Sequence, residues 1–173
     1  MRYAALLRGV NVAGKNPVPM KALAALFEKS GAREVATYIQ SGNVVFSAAP
    51  PLAKKLPALL EKGIQAEFGC SSPVVLRSHD ELKQISDHNP FADDDHARLL
   101  VMFLQQDPRG MEKLDPRRSP PDRFAVRGRE IYLHCPNGFG RSKLSNDYFD
   151  RTLGTVSTAR NWRTVLKLLE LTS

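Results

Sequence analysis

The chain has 173 residues, of which 42% are hydrophobic and 25% charged, with a formal net charge of +7. That balance excludes a fibrous or disordered chain and supplies apolar material for one domain or two small ones. The positive charge favours acidic partners such as nucleotides or nucleic acid, although the basic residues are spread along the chain with no polybasic tail.

Tyr3 to Leu7 is apolar at every position and reads as a strand covered on both faces. A polar loop, 9–18, follows it. Met20, Leu23, Ala24 and Phe27 mark one face of a helix that Gly31 stops. Val35 to Ile39 and Val44 to Phe46 are rich in β-branched and aromatic residues, and the turn chemistry of Gln40-Ser-Gly-Asn43 joins them as a hairpin. Leu52, Leu56, Leu59, Leu60, Ile64 and Phe68 give a second helical stripe, which Pro57 either kinks or begins. Pro73 to Arg77 is a fourth strand. The order strand, helix, strand, strand, helix, strand is that of a ferredoxin-like, split βαβ unit.

Ser78-His-Asp-Glu81 is a capping box that opens a short helix. Asn89-Pro90-Phe91 and the acidic Asp93 to Asp95 follow as connector. Arg98 to Gln105 is again a strand, and Asp107-Pro108 predicts a short helix after it. Phe124 to Val126 and Glu130 to His134 pair through Arg127-Gly128-Arg129. A helix is expected over about Ser142 to Leu153, a short strand over Thr155 to Thr158, and a terminal helix with Trp162, Val165, Leu166 and Leu169 as its stripe. The second half repeats the element order of the first. The expected fold is therefore α+β, two ferredoxin-like units in tandem over 1–78 and 97–158. Residues 79–96 connect them, and a C-terminal helix covers 159–173.

This topology sorts the polar residues into two clusters. Arg8, Asn11, Lys15 and Asn16 leave the first strand at the sheet end where Ser41 and Asn43 turn. In the second half, Arg141 and Lys143 after the third strand share an end with Arg160 and Asn161. The cations would neutralise an anionic ligand, and the amides and hydroxyl would orient it. The plain alternative is a pair of structural loops whose Asn residues cap backbone groups. Gly9-x4-Gly14-Lys15 nearly matches a nucleotide-binding P-loop, but Asn16 replaces the hydroxyl that Mg²⁺ chemistry needs, and Pro17 and Pro19 delay the helix. An antiparallel sheet is also the wrong host for that loop, which argues against NTP hydrolysis. Ser41 lacks a nucleophile elbow and a His partner. Trp162 has the spacing of a core residue, and the RNA-binding signature expected on the third strand is missing. Cys70 and Cys135 stand in unrelated contexts with no metal-ligand spacing, which points to reduced thiols in a cytoplasmic protein. The Tyr3–Leu7 run is too short for a signal peptide or a membrane span. No metal or cofactor is expected.

Four stretches together resemble one family. They are Leu7-Arg-Gly-Val-Asn-Val-Ala-Gly-Lys-Asn16 with Met20, Thr37-Tyr-Ile-Gln-Ser-Gly-Asn-Val-Val-Phe46, Asn89-Pro-Phe91, and Thr158-Ala-Arg-Asn-Trp-Arg-Thr-Val165. The family is the bacterial domain of unknown function 1697. The resemblance runs nearly end to end and implies a duplicated ferredoxin-like α/β protein with no established activity. Ala13 stands where that family more typically has Gly, and Arg163 where Asn is usual. The residues by themselves favour binding of an anionic ligand, a nucleotide or a nucleic-acid phosphate. The alternatives are an enzyme on a small phosphorylated or carboxylated metabolite, and a structural or protein-interaction module.

Overall fold

The computed structural model describes all 173 residues. The protein is α+β, with two four-stranded antiparallel sheets and five α-helices. It divides into two compact units, Met1–Leu82 with Leu168–Ser173, and Lys83–Lys167.

In the first unit the strands β1 (Arg2–Leu7), β2 (Arg33–Tyr38), β3 (Asn43–Ser47) and β4 (Val74–Ser78) lie in the order β2-β3-β1-β4. β1 is central because its apolar run is buried on both faces. Helix α1 (Met20–Lys29) follows β1, and α2 (Pro50–Phe68) follows β3. Tyr3, Ala5, Leu7, Val44 and Phe46 pack under Leu23 and Phe27 of α1 and Leu56, Leu60 and Ile64 of α2. The rings of Tyr3 and Phe46 stack with centroids 5.7 Å apart. α1 and α2 approach closely at Gly63, where a Cβ would stand 2.7 Å from Leu26 Cδ1. Pro57 lies inside α2 without ending it, and Gly69 closes that helix in a left-handed conformation. The opposite sheet face, with Ala4, Leu6, Val45, Val75 and Arg77, is also buried.

The capping box is present. Ser78 Oγ accepts from Glu81 N at 3.2 Å and Glu81 Oε2 from Ser78 N at 2.7 Å, opening helix α3 (His79–Asp87).

In the second unit β5 (Leu99–Leu104), β6 (Arg123–Arg127), β7 (Glu130–His134) and β8 (Ser157–Asn161) lie in the order β6-β7-β5-β8, again all antiparallel. Leu100, Met102, Leu104, Ile131 and Leu133 pack against Leu144 and against Phe149 and Leu153 of helix α4 (Asn146–Leu153). Four local expectations shift. After β5 there is only a single 3₁₀ turn, Met111–Lys113, because Gly110 is left-handed and Arg109 N is tied to Leu153 O. α4 starts at Asn146 because Ser145 is its cap, accepting from Tyr148 N at 3.2 Å. β8 runs to Asn161, whose Oδ1 accepts from Thr164 N at 2.8 Å and so caps helix α5 (Trp162–Leu171). α5 buries Trp162, Val165 and Leu168, leaving Leu166 41% exposed where the sequence stripe placed it inside. No helix is long and apolar enough to cross a membrane.

Candidate functional site

The first polar cluster forms where β1 ends. Leu7 N donates to Gly42 O at 2.9 Å and Arg8 N to Pro73 O at 3.0 Å, so β1 is clamped between the β2–β3 turn and the start of β4. The chain then makes a small hairpin. Asn11 N donates to Asn16 O at 3.0 Å, and Lys15 N donates to Val12 O at 2.9 Å. Five residues of this loop, Gly9, Asn11, Ala13, Gly14 and Asn16, have φ between 49° and 74°. Asn tolerates that left-handed region through local side-chain hydrogen bonds, whereas Ala pays the full steric cost.

Those local bonds are present. Asn11 Nδ2 donates to Val18 O at 2.9 Å and to Gln40 O at 2.8 Å, while its Oδ1 accepts from Val18 N at 2.8 Å. Asn16 Nδ2 donates to Gly9 O at 2.9 Å. Asn43 is fully buried, and its Nδ2 donates to Tyr38 O at 3.2 Å and Ser41 Oγ at 3.0 Å. Asn11 thus ties the loop to the turn, while Asn16 braces the loop and Asn43 braces the turn. Gly42 fits there because it has no side chain; at its φ of +82°, a Cβ would lie 2.6 Å from Val10 Cγ2 and 2.8 Å from Leu7 Cβ. Lys15 is exposed at the tip, and Arg8 and Ser41 are half-buried. The amides of Ala13, Gly14 and Asn16 make no hydrogen bond within the chain. Val12 and Ile39, one on each loop, are 55% and 52% exposed.

The second cluster lies at the start of β5, where Leu99 pairs with His134 and Leu100 with Asn161. This is not the counterpart of the first site, which sits at the end of β1. Arg141 and Lys143 are exposed, with the Lys143 backbone held by Ser119 Oγ at 3.0 Å and by Arg118 Nε at 3.0 Å. Asn161 is the α5 cap. Arg160 is buried, and its Nη1 donates to Thr158 Oγ1 and Ala159 O, both at 2.8 Å. Burial pulls its guanidinium down to about 10. The first unit has a matching residue that sequence reasoning passed over. Arg77, 1% exposed, pairs with Ala4 in β4 as Arg160 pairs with Val101 in β8, and donates to Leu76 O at 2.8 Å. The signal was an Arg inside the apolar run Val74-Val-Leu-Arg77.

No group of three His, Cys, Asp or Glu side chains gathers as metal ligands. Cys135 is buried beside Asp122, and burial pushes its thiol up to about 11, so it is not a nucleophile at neutral pH.

Two α+β units of this kind, joined through α3, define the class of protein. The chain belongs to the family of proteins of unknown function DUF1697, which it matches over residues 1–132. No curated protein matches it. Among solved structures it is similar to the conserved bacterial protein SP0830 from Streptococcus pneumoniae, at 24% identity and a TM-score of 0.72 over 99% of this chain and 98% of that one. That likeness is one of fold.

Proposed function

We propose that the loop 8–16, with the turn 39–42, binds an anionic ligand, a nucleotide or a nucleic-acid phosphate. One observation carries this reading. The hairpin tip is held in a left-handed conformation by the Asn11 and Asn16 amides, and it presents Lys15 beside the unbonded amides of Ala13, Gly14 and Asn16. Strain held by surrounding bonds is a mark of a pre-organised site, and backbone N–H groups beside an ammonium suit phosphate oxygens. Arg8 and Lys15 would neutralise charge, and the buried Asn43 would support Ser41. No acid–base pair stands at the loop, so the reading is binding rather than turnover.

Two finer readings accompany it. The units form a ferredoxin-like duplication over 1–78 and 97–158, supported by the shared strand order. The two free, buried cysteines fit a reducing, cytoplasmic setting. The exposed Val12 and Ile39 favour a second reading, in which these two loops dock on a protein partner.

Titration with ADP, pyrophosphate and single-stranded oligouridylate at low and high salt tests the proposal. Binding at low salt should weaken about tenfold in Lys15→Ala, the worth of one charge-assisted hydrogen bond. For the oligonucleotide it should also fall steeply with salt. If none of the three probes binds, or if Lys15→Ala binds as tightly as the parent, the proposal is wrong.

A further inference from the structure

A cavity of about 550 Å³ opens at the end of the β5–β8 sheet, lined by Gln105, Gln106, Asp107, Arg109, Arg129 and Gly154. It occupies the position in the second unit that the Arg8 loop occupies in the first. Leu104 N donates to Arg129 O at 2.8 Å and Gln105 N to Val156 O at 2.9 Å, the counterparts of the two bonds that Leu7 and Arg8 make to Gly42 and Pro73. In the first unit a hairpin loop follows, with Val10 seated against Gly42. In the second unit the chain is tied by other bonds. Gln106 N donates to Thr155 Oγ1 at 3.0 Å and Arg109 N to Leu153 O at 2.9 Å.

The backbone of this wall is therefore fixed at Gln106 and Arg109, yet three of its side chains are uncommitted. Those of Gln106, Asp107 and Arg109 make no hydrogen bond or ion pair within the chain. Asp107 and Arg109 carry opposite charges on one cavity wall, two residues apart, and do not pair with each other. A purely anionic ligand would meet the Asp107 carboxylate. A ligand carrying both signs would satisfy both residues.

We propose that this cavity binds a small zwitterion of the amino-acid class, a free α-amino acid or a very short peptide. Arg109 and Arg129 take the carboxylate, Asp107 takes the ammonium, and the Gln105 and Gln106 carboxamides complete the hydrogen bonding. The volume lies within the range of small-molecule sites. The proposal is independent of the Lys15 loop, because it rests on a different unit and a different charge pattern.

The test uses the full ¹⁵N-labelled chain titrated with each of the common L-amino acids and with glycylglycine, and with propionate and ethylamine as single-charge controls. At least one zwitterion should shift the amides of Gln106, Arg109 and Gly154. Propionate and ethylamine should each bind at least tenfold more weakly than alanine or the best zwitterion. Arg109→Gln should weaken that binding tenfold or more. Asp107→Asn should abolish the advantage over the amine-free acid. Both substitutions remove exposed side chains that bond to nothing, and retained amide dispersion verifies their folding. The proposal is overturned if no zwitterion shifts these amides, if propionate binds as tightly, or if Asp107→Asn binds unchanged. The loop amides of Ala13 and Gly14 are read in the same spectra, so failure at one site is distinguishable from failure at the other.

Discussion

Gly42 shows how one atom can set the geometry of a site. Its left-handed backbone lets the turn close, and its missing Cβ leaves room for Val10 and Leu7. Gly42→Ala should cost about 1–2 kcal/mol in backbone strain and a further ~1–3 kcal/mol in overpacking. Gly14→Ala, with φ +74° and nothing within 4 Å of the new methyl, should cost the strain alone. Urea midpoints of the two variants separate the contributions, and equal losses would contradict this account. The sequence pattern showed that Gln40 to Asn43 turns and that Asn11 and Asn16 sit in a turn-rich loop. It could not show that the Asn11 amide bonds across to the turn, since Asn11 and Gln40 are 29 residues apart. Nor could it show that Arg160 is buried, because charge in a sequence carries no burial label.

At the scale of elements, the strands were the most legible because apolar runs such as Leu99–Leu104 have few other uses. The short helices were less so, since a cap or a left-handed glycine shifts their starts by several residues. Strand β7 also sets a pH response. Tyr132 donates its hydroxyl to Ile85 O at 2.9 Å, and burial, aided by Glu130, pushes it up to about 12. Cys135, one residue past the strand, is pushed up to about 11, chiefly by burial and then by Asp122. Both groups stay protonated in the folded chain, while an unfolded thiol ionises near 9.0 and an unfolded phenol near 10.0. Their contribution is thus undiminished below pH 9 and is lost as pH rises through about 11 to 12. Denaturant midpoints taken from pH 8 to 11 should fall, and the fall should be shallower in Tyr132→Phe/Cys135→Ala. An unchanged slope in that double variant would rule out these two groups as its source.

For the molecule as a whole, the repeated strand order was legible in the sequence. α5 begins in the second unit, and from Leu168 the chain belongs to the first. There Leu168 and Thr172 are buried, Arg2 Nη2 donates to Leu171 O at 3.0 Å, and His79 Nδ1 lies 3.2 Å from Thr172 Oγ1. Removing residues 168–173 should cost about 3 kcal/mol, mostly from losing the buried Leu168 side chain. For a chain of this size, that lowers Tm by roughly 6–12 °C. An unaltered melting curve would show that these contacts contribute nothing. The bulge in β2 has a different kind of consequence. β2 is an edge strand, its pairing slips between Arg33 and Ala36, and Glu34 there is left-handed, with the Ser47 hydrogen bond and then Arg2 holding its carboxyl below the usual range. The other three edges carry arginine as well, exposed at Arg123 and Arg127 in β6 and buried at Arg77 in β4 and Arg160 in β8. A growing fibril needs a flat run of backbone to copy, and kinks and charges at sheet margins deny it one. The bulge in β2 and the exposed charges of β2 and β6 thereby guard the protein against templating its own aggregation.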